Sequence, residues 1–151
     1  MITLSPVCEN RLERVHPDLV SIVRASAAAW PSNGTRFRVT CGARTIAEQK
    51  RLVETGASRT MRSRHLIAPN GYSHAVDIAI FVDGKIRWDW PLYVTASQIF
   101  KKSALALAVP LEWGGDWTSF RDGPHYQLPW KTHAGGMNVA EIEQDDELAV
   151  A

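Results

Sequence analysis

The sequence predicts an α+β domain in which helices flank a small antiparallel sheet. Three observations carry that expectation. Residues 17–29 and 93–107 repeat apolar side chains at helical spacing, residues 75–81 alternate with a period of two, and Asp83-Gly84 stands between two apolar pairs as a two-residue hairpin turn. A chain of 151 residues, 45% hydrophobic and 22% charged, has the size and composition of one globular domain with its own core. The expected division is a domain over residues 1–138 and an acidic, mobile tail over residues 139–151.

Taken in order, Pro17 suits a first helical turn, and Leu19, Val20, Ile22 and Val23 supply the apolar stripe of a helix over residues 17–29. Trp30-Pro31-Ser32-Asn33-Gly34 ends it. Residues 37–40 form a short β-prone run, and Cys41-Gly42-Ala43-Arg44 a turn. Thr45-Ile46-Ala47-Glu48 is a capping-box pattern, so a second helix runs to about Thr55 with Gly56 as its stop, and Arg44 sits just before its N-terminus. Residues 56–72 are rich in Gly, Ser, Arg, Asn and Pro without a period and read as loop, with Pro69-Asn70-Gly71 as a turn. From Ala75 the chain reads as strand: Val76, Ile78 and Ile80 point one way, Ala75, Asp77, Ala79 and Phe81 the other. Trp88 and Trp90 fall on the return of the hairpin. A long helix over residues 93–107, closed by Val109-Pro110, is expected to cover one face of the sheet. Residues 111–113 and 125–128 are short strand candidates around the loop 114–124, with His125 and Gln127 facing one way. No organised element is expected after Pro129.

The formal net charge is +1, but the five acids between Val139 and Ala151 meet no base there; without them 11 acids face 17 bases, a formal +6 over residues 1–138. A moderately basic body suits an anionic substrate. No apolar run of 18 residues occurs, and the polar N-terminus lacks the basic start and apolar stretch of a secretory signal. The expectation is a chain made in the cytoplasm, with neither membrane insertion nor a nucleic-acid partner, acting as a monomer. Cys8 and Cys41, the only cysteines, have no metal-type pair spacing and read as reduced, Cys41 as packed. The absence of GxSxG, P-loop, HExxH and paired CxxC patterns removes the commonest alternative chemistries.

Two half-sites remain. Residues 63–77, SRHLIAPNGYSHAVD, place two imidazoles and a carboxylate together, and Asp122-Gly123-Pro124-His125 adds a second carboxylate three residues before another imidazole. A catalytic zinc takes three ligands from His, Asp, Glu or Cys and keeps a position for water. His65, Asp77 and His125 supply such a set, although His74 is an equally plausible ligand on chemical grounds. Asp122 is the candidate general base. Arg44 could hold a substrate carboxylate or offset a developing oxyanion. His16 and His133 read as surface or capping residues, and Trp113 and Trp117 as core rather than sugar platforms.

Four segments carry a resemblance: VHPDLVSIVRAS near the start, GARTIAEQ around Arg44, ASRTMRSRH followed by HAVDIA, and WGGDWTSFRDGPHYQL. In order over roughly residues 5–130, the chain resembles the phage endolysins that are L-alanyl-D-glutamate endopeptidases, within the zinc D-alanyl-D-alanine carboxypeptidase-like peptidases. The resemblance implies a hedgehog-like α+β fold with a Zn2+ site on the sheet face. It implies His65, Asp77 and His125 as metal ligands, Asp122 as the catalytic carboxylate and Arg44 as the assisting arginine; His74, just before Ala-Val-Asp, is not a ligand in that pattern. It implies cleavage of the L-Ala-D-Glu bond of bacterial peptidoglycan by a catalytic domain over residues 1–138. The enzyme would wait in the host cytoplasm until the membrane is permeabilised. The alternatives are a D-Ala-D-Ala carboxypeptidase or dipeptidase of the same superfamily and a non-catalytic zinc-containing binding module. One departure stands out: His65 and Asp77 lie twelve residues apart where the family usually has seven, an insertion within residues 66–73 expected to form a longer loop beside the cleft.

Overall fold

The computed structural model describes residues 1–138 and 140; the acidic segment read as a tail lies outside the described residues apart from Ala140. The chain forms α1 (Pro6–Arg11), α2 (Pro17–Ala29), β1 (Thr35–Cys41), α3 (Ile46–Glu54), β2 (Ala75–Val82), β3 (Lys85–Arg87), α4 (Trp90–Ala106), β4 (Glu112–Trp113), a 3-10 turn (Gly114–Asp116) and β5 (His125–Gln127). The strands make one antiparallel sheet in the order β1-β2-β5-β4, with β3 paired to β2.

The local signals act as their chemistry requires. His16 caps α2 by accepting the Asp18 N–H on Nδ1 at 3.1 Å, with Pro17 in the first turn. Thr45 and Glu48 exchange both bonds of the capping box on α3. Asp83 and Gly84 both take positive φ, 48° and 80°, the geometry a tight hairpin between β2 and β3 demands.

Strand β1 extends beyond the expected residues 37–40 at both ends, and two helices differ more. Helix α1 follows Pro6, with Ser5 accepting the Cys8 N–H, in a stretch whose polarity had offered no period. Helix α4 begins at Trp90, three residues before the expected start: the Trp-rich stretch reads as a hairpin return, but Pro91 falls in the first turn, where its missing N–H costs nothing.

Alternation divides the sheet into two chemical faces. Phe37, Val39, Val76, Ile78, Ile80 and Tyr126 are buried in one core with Leu19, Ile22 and Val23 of α2 and with Ala96, Phe100 and Ala104 of α4. Phe100 stacks on Tyr126 at 4.2 Å and meets the edge of Phe37 at 5.3 Å, so truncating it to Ala should cost about 3–5 kcal/mol. The other face carries Asp77 and His125 and is left free for chemistry.

The segment after Pro129, read as unorganised, is tied to the body. Buried Arg64 donates to the Leu128 carbonyl at 2.8 Å and to the His133 carbonyl at 2.6 Å, with its guanidinium 4.0 Å from the Trp130 ring centroid. The inserted loop is held in the same way. Leu66 bridges to Arg44 and Ser73 to Val15, while the Asn70 N–H donates to the Gly135 carbonyl at 2.9 Å. The loop's tip is thus fastened to the C-terminal segment.

Candidate active site

Asp77 occupies the middle of a row across three strands, paired with Cys41 on β1 and His125 on β5. A register shift between Val39 and Cys41 brings the Cys41 position level with Asp77. His65 enters from the loop before β2. Its backbone carbonyl accepts the Arg44 N–H at 2.8 Å, its own N–H donates to Ser63 Oγ at 3.1 Å, and its Nδ1–H donates to the Gly42 carbonyl at 2.8 Å. Glycine is required at 42, because a Cβ there would collide with the Arg11 carbonyl. With Nδ1 engaged, His65 turns Nε2 toward Asp77 Oδ2, 3.2 Å away.

His125 approaches the same carboxylate from the opposite side, Nδ1 to Asp77 Oδ1 at 3.0 Å, while its Nε2–H donates to Gln127 Oε1 at 2.8 Å. The two imidazoles stand at 73° with centroids 5.1 Å apart. Side-chain exposures of 3% for His65, 8% for His125 and 23% for Asp77 make the cluster shielded yet open on the carboxylate side. Potential ligand atoms of Asp77, Asp122 and His125 all lie within 4.8 Å of one another, and so do those of Cys41, His65 and Asp77. Asp122 is delivered by the turn before β5, its N–H donating to the Gly114 carbonyl at 3.0 Å. A Cβ on Gly114 would collide with the Asp122 carbonyl.

The electrostatics follow from this packing. Burial would push the Asp77 carboxyl up, but the His65 and His125 imidazoles outweigh it and hold it well below the usual carboxylate range. Burial would lower His65, yet Asp77 raises it above the ordinary imidazole value. Asp122 moves the other way: burial first, then the negative charge of Asp77, raise it. The two neighbouring carboxylates are therefore shifted in opposite directions.

The donor set fits a divalent metal ion. His65 Nε2 is buried without a hydrogen-bond partner, each imidazole has its outer nitrogen engaged and its inner one facing Asp77, and the carboxylate between them is held ionised. Arg44 stands at the margin, donating to Gln49 Oε1 at 2.7 Å, with NH2 3.8 Å from Asp77 Oδ2. Gln49 is itself fully buried and donates to Ser58 Oγ and the Thr60 carbonyl.

The structure thus brings His65, Asp77, His125, Asp122 and Arg44 together. His74 lies elsewhere, packed 5.3 Å from His16 with its Nε2 3.1 Å from Asn70 Nδ2. The choice between the two imidazoles, open on chemical grounds in the sequence, falls to His65 in the structure. Sequence reasoning missed Cys41, whose Sγ lies 3.7 Å from His65 Nδ1, and Gln49; both depend on tertiary register. Gln127 had one signal, its shared face with His125.

Comparison with known proteins places the chain. The family model described as phage L-alanyl-D-glutamate peptidase matches residues 1–133. An L-alanyl-D-glutamate peptidase of Listeria phage A118 is 38% identical over 100 residues, covering 66% of this chain and 33% of that protein; this chain spans about a third of that relative's length. The peptidoglycan L-alanyl-D-glutamate endopeptidase CwlK of Bacillus subtilis is 31% identical over 126 residues, covering 76% of this chain and 73% of CwlK. The crystal structure of the Serratia marcescens L-Ala D-Glu endopeptidase ChiX superposes with a TM-score of 0.75 at 33% identity, covering 86% of this chain and 92% of ChiX. With the match spanning nearly all the described residues and the paired half-sites brought together on one sheet face, the chain belongs to the phage L-alanyl-D-glutamate peptidase family.

Proposed function

We propose that the chain is a zinc-dependent endopeptidase that hydrolyses the amide between L-Ala and D-Glu in the peptidoglycan stem peptide and serves as a phage lysis enzyme. The observation that carries this reading is that His65 and His125 address the two oxygens of Asp77 from opposite sides, at 3.2 and 3.0 Å, with Asp122 grouped beside Asp77 and His125. His65, Asp77 and His125 would hold a zinc ion, which would supply a Lewis acid and activate a water near neutral pH. The chain's own groups do the rest. Asp122, raised by burial and by Asp77, takes the proton of the attacking water and returns it to the departing D-Glu nitrogen as the C–N bond breaks. Arg44, steadied by Gln49, sets a positive charge beside Asp77, where it can meet a substrate carboxylate or the oxygen that gains charge. The products are a C-terminal L-Ala carboxylate and an N-terminal D-Glu amine.

In this reading residues 1–138 are the catalytic domain, acting as a monomer on the wall once the membrane has been permeabilised. Among the described residues no helix is long and apolar enough to cross a membrane. A D-Ala-D-Ala carboxypeptidase would trim free C-termini and release single D-alanines, and a binding module would have no use for a proton-accepting Asp122. Digestion of purified peptidoglycan with and without a chelator, followed by mass spectrometry of the new termini, separates the three. New N-terminal D-Glu and C-terminal L-Ala that disappear with the chelator are expected; released D-alanine, or no product from zinc-loaded protein, would overturn the proposal.

A further inference from the structure

We infer that Gln127 and Glu112 form a positioning relay that fixes which ring nitrogen of His125 faces the metal. The inference rests on the proposed site and adds two residues to it. Gln127 lies two residues beyond His125 on β5 and so shares its face, and it is the cross-strand partner of Glu112 on β4. Its Oε1 is 2.8 Å from His125 Nε2.

An amide next to an imidazole does not by itself set a tautomer, since either its oxygen or its nitrogen can face the ring. Glu112 removes that freedom. Its carboxylate can only accept, and it lies 3.5 Å from Gln127 Nε2, a long contact whose sign is nonetheless fixed because a carboxylate repels an amide oxygen. The other Glu112 oxygen accepts the Trp117 Nε1–H at 3.4 Å, and the Trp117 ring lies 5.2 Å from that of His125. With the amide nitrogen drawn to Glu112, the amide oxygen must face His125. Nε2 then keeps its hydrogen, and Nδ1, 3.0 Å from Asp77 Oδ1, is the nitrogen left to give up its proton and offer a lone pair to a metal beside that carboxylate. Gln127 and His125 are each 7% exposed, so water does not readily replace either partner.

The relay predicts a particular pattern of zinc affinity, measured on the full chain by competition with a chromophoric chelator. Gln127→Leu should weaken zinc binding by about 10–100-fold. Exchanging the pair, Gln127→Glu with Glu112→Gln, keeps an acceptor facing His125 and moves the donor to residue 112 on β4, from which it points at residue 127; it should recover about tenfold or more of that loss. In 15N-labelled wild-type protein loaded with 113Cd, scalar coupling should appear on Nδ1 of His125. Coupling on Nε2, a Gln127→Leu affinity within twofold of wild type, or an exchanged pair no tighter than Gln127→Leu would overturn the relay. Wild-type protein that takes up no metal would instead overturn the site on which it rests.

Discussion

Among the described residues two clusters contain the same three side chains, two imidazoles and one carboxylate, and they differ in how the ring nitrogens are used. At His65, Asp77 and His125 the outer ring nitrogens are engaged by Gly42 and Gln127, and the inner ones face the carboxylate. His65 and His125 each fall in a separate ligand group with Asp77, whereas at His16, Asp18 and His133 the ligand atoms lie within 4.8 Å of one another. There, however, His16 Nδ1 already accepts the helix-capping Asp18 N–H, and His133 Nε2 is 2.8 Å from Asp18 Oδ2. Side-chain exposures of 21%, 44% and 15% leave that group wetter than the 3%, 23% and 8% of the first. Proximity of ligand types is therefore a weaker criterion than the fate of each lone pair. In the proposed reading the first cluster holds a cation, while the second fastens the C-terminal segment to the start of α2.

Substitutions can break this contrast in order of size. Asp77→Ala should abolish metal binding and reduce hydrolysis to background, because it removes the group that both imidazoles address. Asp122→Asn should keep the metal and lose about 10²–10⁴-fold in kcat, the usual range for a positioned acid–base group; near wild-type turnover would remove Asp122 from the mechanism. Arg44→Gln should lose about 10²-fold in kcat/KM with metal content unchanged.

The second cluster should answer in stability alone. His74, beside it, is lowered to about 4 by burial first and then by the charges of Arg64, His16 and His133. Its ordinary value is 6.5, so below that pH the unfolded chain gains a proton that the folded chain refuses. Stability is complete above 6.5 and falls by up to about 3 kcal/mol as pH drops through 4. Urea unfolding at pH 7.5 and 4.5 should show that loss in wild type and a flatter dependence in His74→Gln. His133→Ala, which breaks a partly exposed contact with Asp18, should cost only about 1 kcal/mol and leave turnover unchanged.

What could be read from the sequence follows the range of the forces involved. Helix α2 matches its expected bounds because Pro17 and a clean apolar stripe mark it locally, and α3 because the Thr45–Glu48 box and Gly56 bracket it. Strand alternation placed Asp77 on a face but could not choose between His65 and His74, because both lie outside the strand. The start of α4 escaped because Trp88 and Trp90 look like strand residues until Pro91 is counted as a helix opener. Cys41, Gln49 and Glu112 could not be found locally, since their place in the site depends on a strand bulge, on a loop closing over α3 and on a cross-strand pairing. The insertion was visible as a spacing, but its fastening to residues 14–15 and 135 required the whole fold.

The contrast between the clusters comes down to metal content per chain, measured by elemental analysis after dialysis against buffered zinc for wild type, Asp77→Ala and His133→Ala. One equivalent in wild type, none in Asp77→Ala and one in His133→Ala is the result expected. Retention of zinc by Asp77→Ala, or its loss from His133→Ala, would show that the cation belongs to the other cluster.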